Sequence, residues 1–294
     1  MGAESTSIAR RLSDLLVLTK ARVNVLVVGT TFVGFALHAR ILPNWSLLLQ
    51  TLAGTGLVAG SAAVANQALE QSFDRNMART RNRPLAAGRL RWNSVVLLSG
   101  TLLGAGCLWL GAGVNLRAMS LAGLTFLIYT FAYTPLKRYT PACTLVGAVA
   151  GALPVLIGWA ATDADFGLWT FVAFAVLFLW QIPHFLAIAW WRRADYSVAG
   201  FHVLPRGDDR GYRTAGSAFA FAVAMVVTSL VPVLLHRAAA WYLPVGLALG
   251  IAIITSSIRF LVRRNEANAR SLFVASLFYL PALYLLMLFC SKQA

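Results

Sequence analysis

The stretch SLLLQTLAGTGLVAGSAAVANQALEQSFDRNMARTRNRP, Ser46 to Pro84, contains two different messages in succession. No charged residue occurs from Ser46 to Leu69, a run long enough for a helix to cross a hydrocarbon core of about 30 Å, which takes roughly 20 residues. Two carboxylates, Glu70 and Asp74, and four arginines, Arg75, Arg79, Arg81 and Arg83, then arrive together. The first part predicts a membrane span. The second raises the question of what a membrane protein does with such a cluster at the end of one.

The rest of the chain repeats the apolar message. Of 294 residues, 59% are hydrophobic and only 12% charged, well outside the soluble range. Apolar runs with few or no charges predict nine spans, near 15–37, which carries Lys20 and Arg22 near its start, 46–68, 94–115, 118–136, 141–161, 166–190, which contains His184, 215–235, 241–262 and 271–290. The fold class expected is an all-α polytopic membrane protein. Residues 1–13 read as a cytoplasmic tail and residues 14–294 as one membrane domain, with no soluble insertion long enough for another.

A net charge of +15 would suggest a nucleic-acid partner in a soluble protein, but its distribution argues otherwise. With the N-terminus inside, 21 of the 25 basic residues fall in cytoplasmic segments, and only Arg40, Arg117, Arg237 and Lys292 fall outside. That bias orients membrane proteins, so it accounts for most of the charge without nucleic acid. The N-terminal MGAESTSIARRLSDLL mixes acids with bases and lacks a cleavable apolar core, so it reads as neither a secretory nor a mitochondrial targeting segment. Cys107, Cys143 and Cys290 lie far apart in apolar runs and read as packing residues.

Polar residues at the edge of hydrocarbon are costly and by default mark function. If the second span continues as a helix, Asn66, Glu70 and Asp74 follow at i, i+4 and i+8, turning only about 40° and rising about 6 Å at each step. They make a stripe of hard oxygen donors suited to Mg²⁺, which takes one or two carboxylates and completes its shell with water and phosphate. The competing reading is a helix end whose acids pair with Arg75 and Arg79 on neighbouring turns. Arg79, Arg81 and Arg83 follow directly, and arginine recognises phosphate oxygens in bidentate fashion. The residues alone thus point to a metal-diphosphate site at the inner face, with topogenic charge as the alternative for some arginines. A transporter would instead spread polar residues near mid-membrane over several spans, whereas these gather at cytoplasmic ends.

The run Asn66-x-x-x-Glu70-x-x-x-Asp74, followed by Arg79-Thr80-Arg81-Asn82-Arg83-Pro84-Leu85 and Gly88, resembles the first signature of the UbiA-type intramembrane prenyltransferases. Most of that superfamily carries Asp at the middle position. Glu70, with the full Asn-Arg-Pro-Leu run, is similar to the haem O synthase branch. Tyr133-Thr134-Pro135-Leu136-Lys137-Arg138 is similar to a short basic segment of the family. Trp180-Gln181-Ile182-Pro183-His184-Phe185, then Asp195-Tyr196-x-x-x-Gly200, and Ala269-Arg270-x-Leu272-Phe273-x-x-Ser276-x-x-Tyr279-Leu280-Pro281 extend the likeness to the ninth span. Other members carry a second pair of Asp residues four apart. Here the position four before Asp195 is Trp191, a loss the haem branch shares, which leaves one or two Mg²⁺ ions open.

The resemblance implies nine helices around a central apolar cavity that opens at the cytoplasmic face, in a bacterial inner (plasma) membrane. It implies farnesyl diphosphate and haem B as substrates, Mg²⁺ on Asn66, Glu70 and Asp74, and catalytic roles for these three with Lys137 and Asp195. Arg79, Arg81, Arg83, Tyr133, Arg138, His184, Tyr196 and Arg270 would bind substrate. A haem A synthase or oxidase assembly factor is the expected protein partner. His184 keeps two readings, a contact to haem, as iron ligand or beside the reacting vinyl group, or a hydrogen bond that steadies the kink at Pro183. His38, His202 and His236 have weaker claims, and Trp180, Trp190, Trp191 and Tyr196 either line a flat substrate or belong to an interfacial aromatic belt.

Overall fold

A computed structural model describes residues 2–39, 44–234 and 238–290. Arg40, His236, Arg237 and Lys292, and the side chain of Cys290, lie outside what is described. The chain runs α1 (Gly2–Leu18), α2 (Ala21–His38), α3 (Trp45–Leu69), α4 (Gln71–Asn76), α5 (Trp92–Gly113) and α6 (Leu116–Leu127). A π-helical turn, Ile128–Tyr133, carries α6 into the single turn α7 (Thr134–Leu136). Then come α8 (Cys143–Ala160), α9 (Leu168–Trp191), α10 (Arg193–Val198), α11 (Tyr212–Leu234), α12 (Tyr242–Val262) and α13 (Glu266–Cys290). No strand occurs among the described residues.

Nine helical stretches among the described residues are long and apolar enough to cross a bilayer: α2, α3, α5, α6 through α7, α8, α9, α11, α12 and α13. They overlap the nine predicted runs, with the largest shifts at the starts of the first and the ninth, which begins at Glu266 rather than near 271. The first span begins at Ala21, because Lys20 takes a left-handed conformation, φ 47° and ψ 48°, and breaks the helix there. The segment ahead of it, expected to be a short tail, is helical from Gly2.

The spans form two groups, α2, α3, α5, α6 and α8 on one side and α9, α11, α12 and α13 on the other, joined where α8 packs on α9. In lipid no hydrophobic force draws helices together, so close backbone approach through small residues must do so. α8, the most buried span, supplies it. Its Gly158 lies against the Thr31 backbone of α2, and Gly34 of α2 lies against the Val155 backbone of α8, so that an added Cβ at either would collide with main chain. Between α3 and α5, Ser61 Oγ donates to Ser99 O at 2.7 Å and Ser99 Oγ to Ser61 O at 3.0 Å, a reciprocal pair worth roughly 0.6 kcal/mol per bond. Large apolar side chains face outward all round, Leu108 at 73% and Phe278 at 74% exposure, as a lipid-facing surface requires.

Gly158→Ala is expected to cost about 1–3 kcal/mol, since main chain cannot move aside, whereas Gly123→Ala, with open space at its Cβ, should leave stability unchanged or raised. Melting of the two detergent-purified variants against the parent checks this pairing.

Candidate active site

α3 stops at Leu69 and α4 starts at Gln71, so the stripe does not lie on one unbroken helix as expected. Glu70 forms the joint, with φ −97° and ψ 5°. Glu70 N still donates to Asn66 O at 2.9 Å and Asp74 N to Glu70 O at 2.8 Å, which carries the four-residue spacing across the break. Asn66, Glu70 and Asp74 are all buried, at 0%, 5% and 2% exposure. The loop beyond α4 folds back on the stripe, Thr80 Oγ1 donating to Asp74 O at 3.0 Å.

A different cation meets each stripe residue. Lys137 Nζ donates to Glu70 Oε1 at 2.8 Å. Arg83 Nη1 donates to both carboxylate oxygens of Asp74, at 2.9 and 2.7 Å. Lys20 Nζ donates to Asn66 Oδ1 at 2.5 Å, and Asn66 Nδ2 donates to Thr134 Oγ1 at 3.1 Å. The alternative pairing of Asp74 with Arg75 and Arg79 does not occur. Arg75 is the adjacent residue and so points to another face, where its Nε donates to Ala86 O, and Arg79 lies beyond the end of α4. Arg79 and Arg81 are exposed on the loop and, among the described residues, make no ion pair with the stripe.

Burial raises the pKa of Glu70, but Lys137, Lys20 and Arg83 outweigh it and hold the carboxyl below its ordinary value. Burial likewise lowers that of Lys137, yet Glu70 with Tyr133 and Tyr129 keeps the ammonium well above its own. Both groups are charged, and cations outnumber acids.

The π-helical turn explains how Lys137 arrives. An extra residue in a helical turn re-aims the side chains after it, and here Tyr129, Tyr133 and Thr134 face the stripe. Tyr133 lies under Lys137 Nζ at 4.3 Å. Arg138 stacks on Phe73 at 4.3 Å and donates to Leu69 O at 2.7 Å, while its Nε is buried with no hydrogen-bond partner among the described residues. The loop after α10 clamps this basic pair from behind: His202 N donates to Lys137 O, and His202 Nδ1 donates to Arg138 O, both at 2.8 Å. Phe201 stacks on Phe73 at 5.1 Å and Tyr196 packs edge-on against Phe201, which brings α10 beside the stripe. Asp195 is half-buried on α10 and, among the described residues, pairs with no cation.

His184 lies apart from the stripe, at the interface of α9 and α13. Its Nδ1 is 2.7 Å from Ser276 Oγ, whose only hydrogen goes to Phe273 O at 2.6 Å. The imidazole is therefore the donor to Ser276, and in the neutral ring Nε2 keeps its lone pair. The helix-to-helix hydrogen bond expected as one reading is present, and it occupies one nitrogen only. Trp180 stacks on the ring at 4.6 Å and Phe273 lies 4.9 Å away. Arg270 is exposed, 5.4 Å above the ring of Trp191.

Lys20, Thr134, Phe73 and Phe201 are not among the site residues expected from sequence, and His202 has only a weak claim there. Lys20 counts by sequence among the cytoplasmic basic residues that orient the chain, although a lysine inside the first apolar run is itself a visible signal. The others became legible only when the loops were folded onto the stripe.

Residues 27–282 match the UbiA prenyltransferase family, and the chain belongs to it. Within that class its relatives are specific. It is 38% identical over 284 residues, 94% of this chain and 97% of the relative, to a protoheme IX farnesyltransferase of Solibacter usitatus. It is 42% identical over 277 residues, 92% of each chain, to one of Opitutus terrae. The fold is also that of a digeranylgeranylglyceryl phosphate synthase structure, at TM-score 0.80 and 18% identity, covering 95% of this chain and 98% of the other. An Archaeoglobus fulgidus UbiA homologue bound to GPP and Mg²⁺ aligns at TM-score 0.65 and 14% identity, covering 93% and 99%.

Removing one member of the buried pair should cost more than removing both. Lys137→Met leaves Glu70 unpaired and is expected to cost about 3–5 kcal/mol, with part of the loss regained in the Glu70→Gln, Lys137→Met double variant. The depressed carboxyl stabilises above its ordinary value of 4.5, where the unfolded group is ionised, and the contribution fades as pH falls below it. The melting difference between parent and Glu70→Gln should therefore shrink below that pH.

Proposed function

We propose that this protein is a haem O synthase, transferring the farnesyl group of farnesyl diphosphate to a vinyl group of haem B. The reading rests on the relatives' named activity together with one observation: a buried row of Asn66, Glu70 and Asp74 ringed by Lys20, Arg83, Lys137 and Arg138. Two acids amid four cations leave excess positive charge at the end of a span, and a diphosphate supplies the missing negative charge.

The stripe fits Mg²⁺ in its donor chemistry, offering two carboxylates and one amide oxygen in a buried row, an all-oxygen set of three that leaves the remaining coordination positions to water and phosphate. Asn66, Glu70 and Asp74 would hold the ion, with Asp195 available to a second. Bound there, Mg²⁺ supplies Lewis-acid neutralisation of the leaving group. Lys137, Arg83 and Arg138 bind the diphosphate oxygens, and Arg79 and Arg81 extend the positive field from the exposed loop. As the allylic C–O bond breaks, charge grows on the departing diphosphate, so these cations favour the transition state over the ground state. The farnesyl carbon bonds to the haem vinyl group. Water adds to the resulting cation with loss of a proton, which gives the hydroxyethylfarnesyl side chain and free diphosphate. The farnesyl chain and the macrocycle occupy an apolar cavity between the spans that opens at the cytoplasmic face, in a plasma membrane with the N-terminus inside. His184, with Nε2 free and aromatic rings beside it, contacts the haem; Tyr133, Tyr196 and Arg270 complete the substrate-binding set. A haem A synthase is the partner that would receive the product.

Purified protein given haem B, farnesyl diphosphate and Mg²⁺ should form haem O and stop on addition of a chelator. Asp74→Ala should lose at least about 100-fold in turnover while remaining folded, on the scale of losing one charge-stabilising group. Failure to form haem O, with 4-hydroxybenzoate farnesylated instead, would refute the acceptor. His184→Ala should alter the visible absorption of protein-bound haem, and an unchanged spectrum would return His184 to a purely structural role.

A further inference from the structure

Lys20 has three features that orientation in the membrane does not explain. Its backbone, at φ 47° and ψ 48°, lies in the left-handed region that side-chain-bearing residues avoid. Such strain persists only where the surroundings enforce it, and it clusters at functional sites. Its ammonium is half-buried and reaches 46 residues along the chain to Asn66 Oδ1, with Tyr129 OH at 3.5 Å. Among the described residues it meets no carboxylate, while Glu70 and Asp74 already have Lys137 and Arg83.

A tether between α1 and α3 would be the ordinary explanation, but that joint is fastened by other groups. Gln67 Nε2 donates to Val17 O at 2.9 Å and Leu18 O at 2.8 Å. Asn24 Nδ2 donates to Thr19 O at 2.7 Å, and Leu18 is fully buried. With the corner closed by amides and by Leu18, the Lys20 side chain is left to serve the stripe.

We propose that Lys20 is a diphosphate-binding residue, held by the strained α1–α2 corner so that its ammonium replaces the contact to Asn66 with one to a phosphate oxygen when ligand arrives. That exchange would free Asn66 Oδ1 for a cation. The inference rests on the diphosphate part of the function proposed above and is independent of the haem acceptor.

The strain makes the test specific. Inorganic diphosphate with Mg²⁺ is titrated calorimetrically into the detergent-purified parent, Lys20→Gln, Lys20→Gly and Lys20→Arg, and each is melted without ligand. Lys20→Gln and Lys20→Gly should bind at least about tenfold more weakly, the loss expected of one charge-assisted hydrogen bond, with Lys20→Arg closer to the parent. Lys20→Gly, which accepts positive φ without strain, should melt above Lys20→Gln even as it binds poorly. Parent-like affinity in Lys20→Gln overturns the proposal, as does a Lys20→Gly variant that melts well below Lys20→Gln. A parent that binds diphosphate but makes no haem O refutes the acceptor alone.

Discussion

Two carboxylates buried at the end of a membrane span are tolerable only if positive charge is brought to them, and much of the architecture at that end serves this need. Glu70 and Asp74 are nearly sealed from solvent, and an unpaired carboxylate in such a place would cost several kcal/mol. The partners come from three separate segments. Arg83 returns on the loop after α4, Lys137 arrives from the end of the fourth span, and Lys20 reaches Asn66 from the first. Each requires a departure from regular helix: the joint at Glu70, the π-helical turn before Thr134, and the left-handed corner at Lys20. Irregular backbone at membrane depth is tolerated where it is buried in protein or lines a cavity, which is how the site can be built from broken helices.

The rest of the bundle keeps those ends in register. α8 packs against α2 through Gly34 and Gly158, and against the π-helical turn through Gly147, whose missing Cβ leaves room for the ring of Tyr133. The loop after α10, through Val203, closes over the basic pair, with Phe201 on Phe73 and His202 on the Lys137 and Arg138 carbonyls. His202, weakly placed by sequence, thus has a definite structural task. His184 serves the contact between α9 and α13 with one nitrogen, and among the described residues no hydrogen bond engages the other.

The fold was legible in the sequence because a membrane span announces itself by length and lack of charge, independently of what it packs against. All nine runs overlap helical spans, and the shift at the start of the first arises at Lys20, where backbone conformation overrides an apolar pattern. The row of two carboxylates and an amide was legible for a similar reason. A four-residue spacing places Asn66, Glu70 and Asp74 in a row by helical geometry alone, and the row survives the break at Glu70.

What no local reading could assign was the pairing among charges. Six arginines lie between Arg75 and Arg91, similar in sequence terms, yet only Arg83 meets Asp74, because the returning loop decides which guanidinium arrives. Lys20 and Thr134, far from Asn66 along the chain, meet it only through tertiary folding. Sequence by itself determined the membrane-spanning helices and the oxygen donors, since both follow from short-range periodicity and the cost of charge in hydrocarbon. Tertiary structure alone decided which cations neutralise which donors, because that depends on where separate helices end in space.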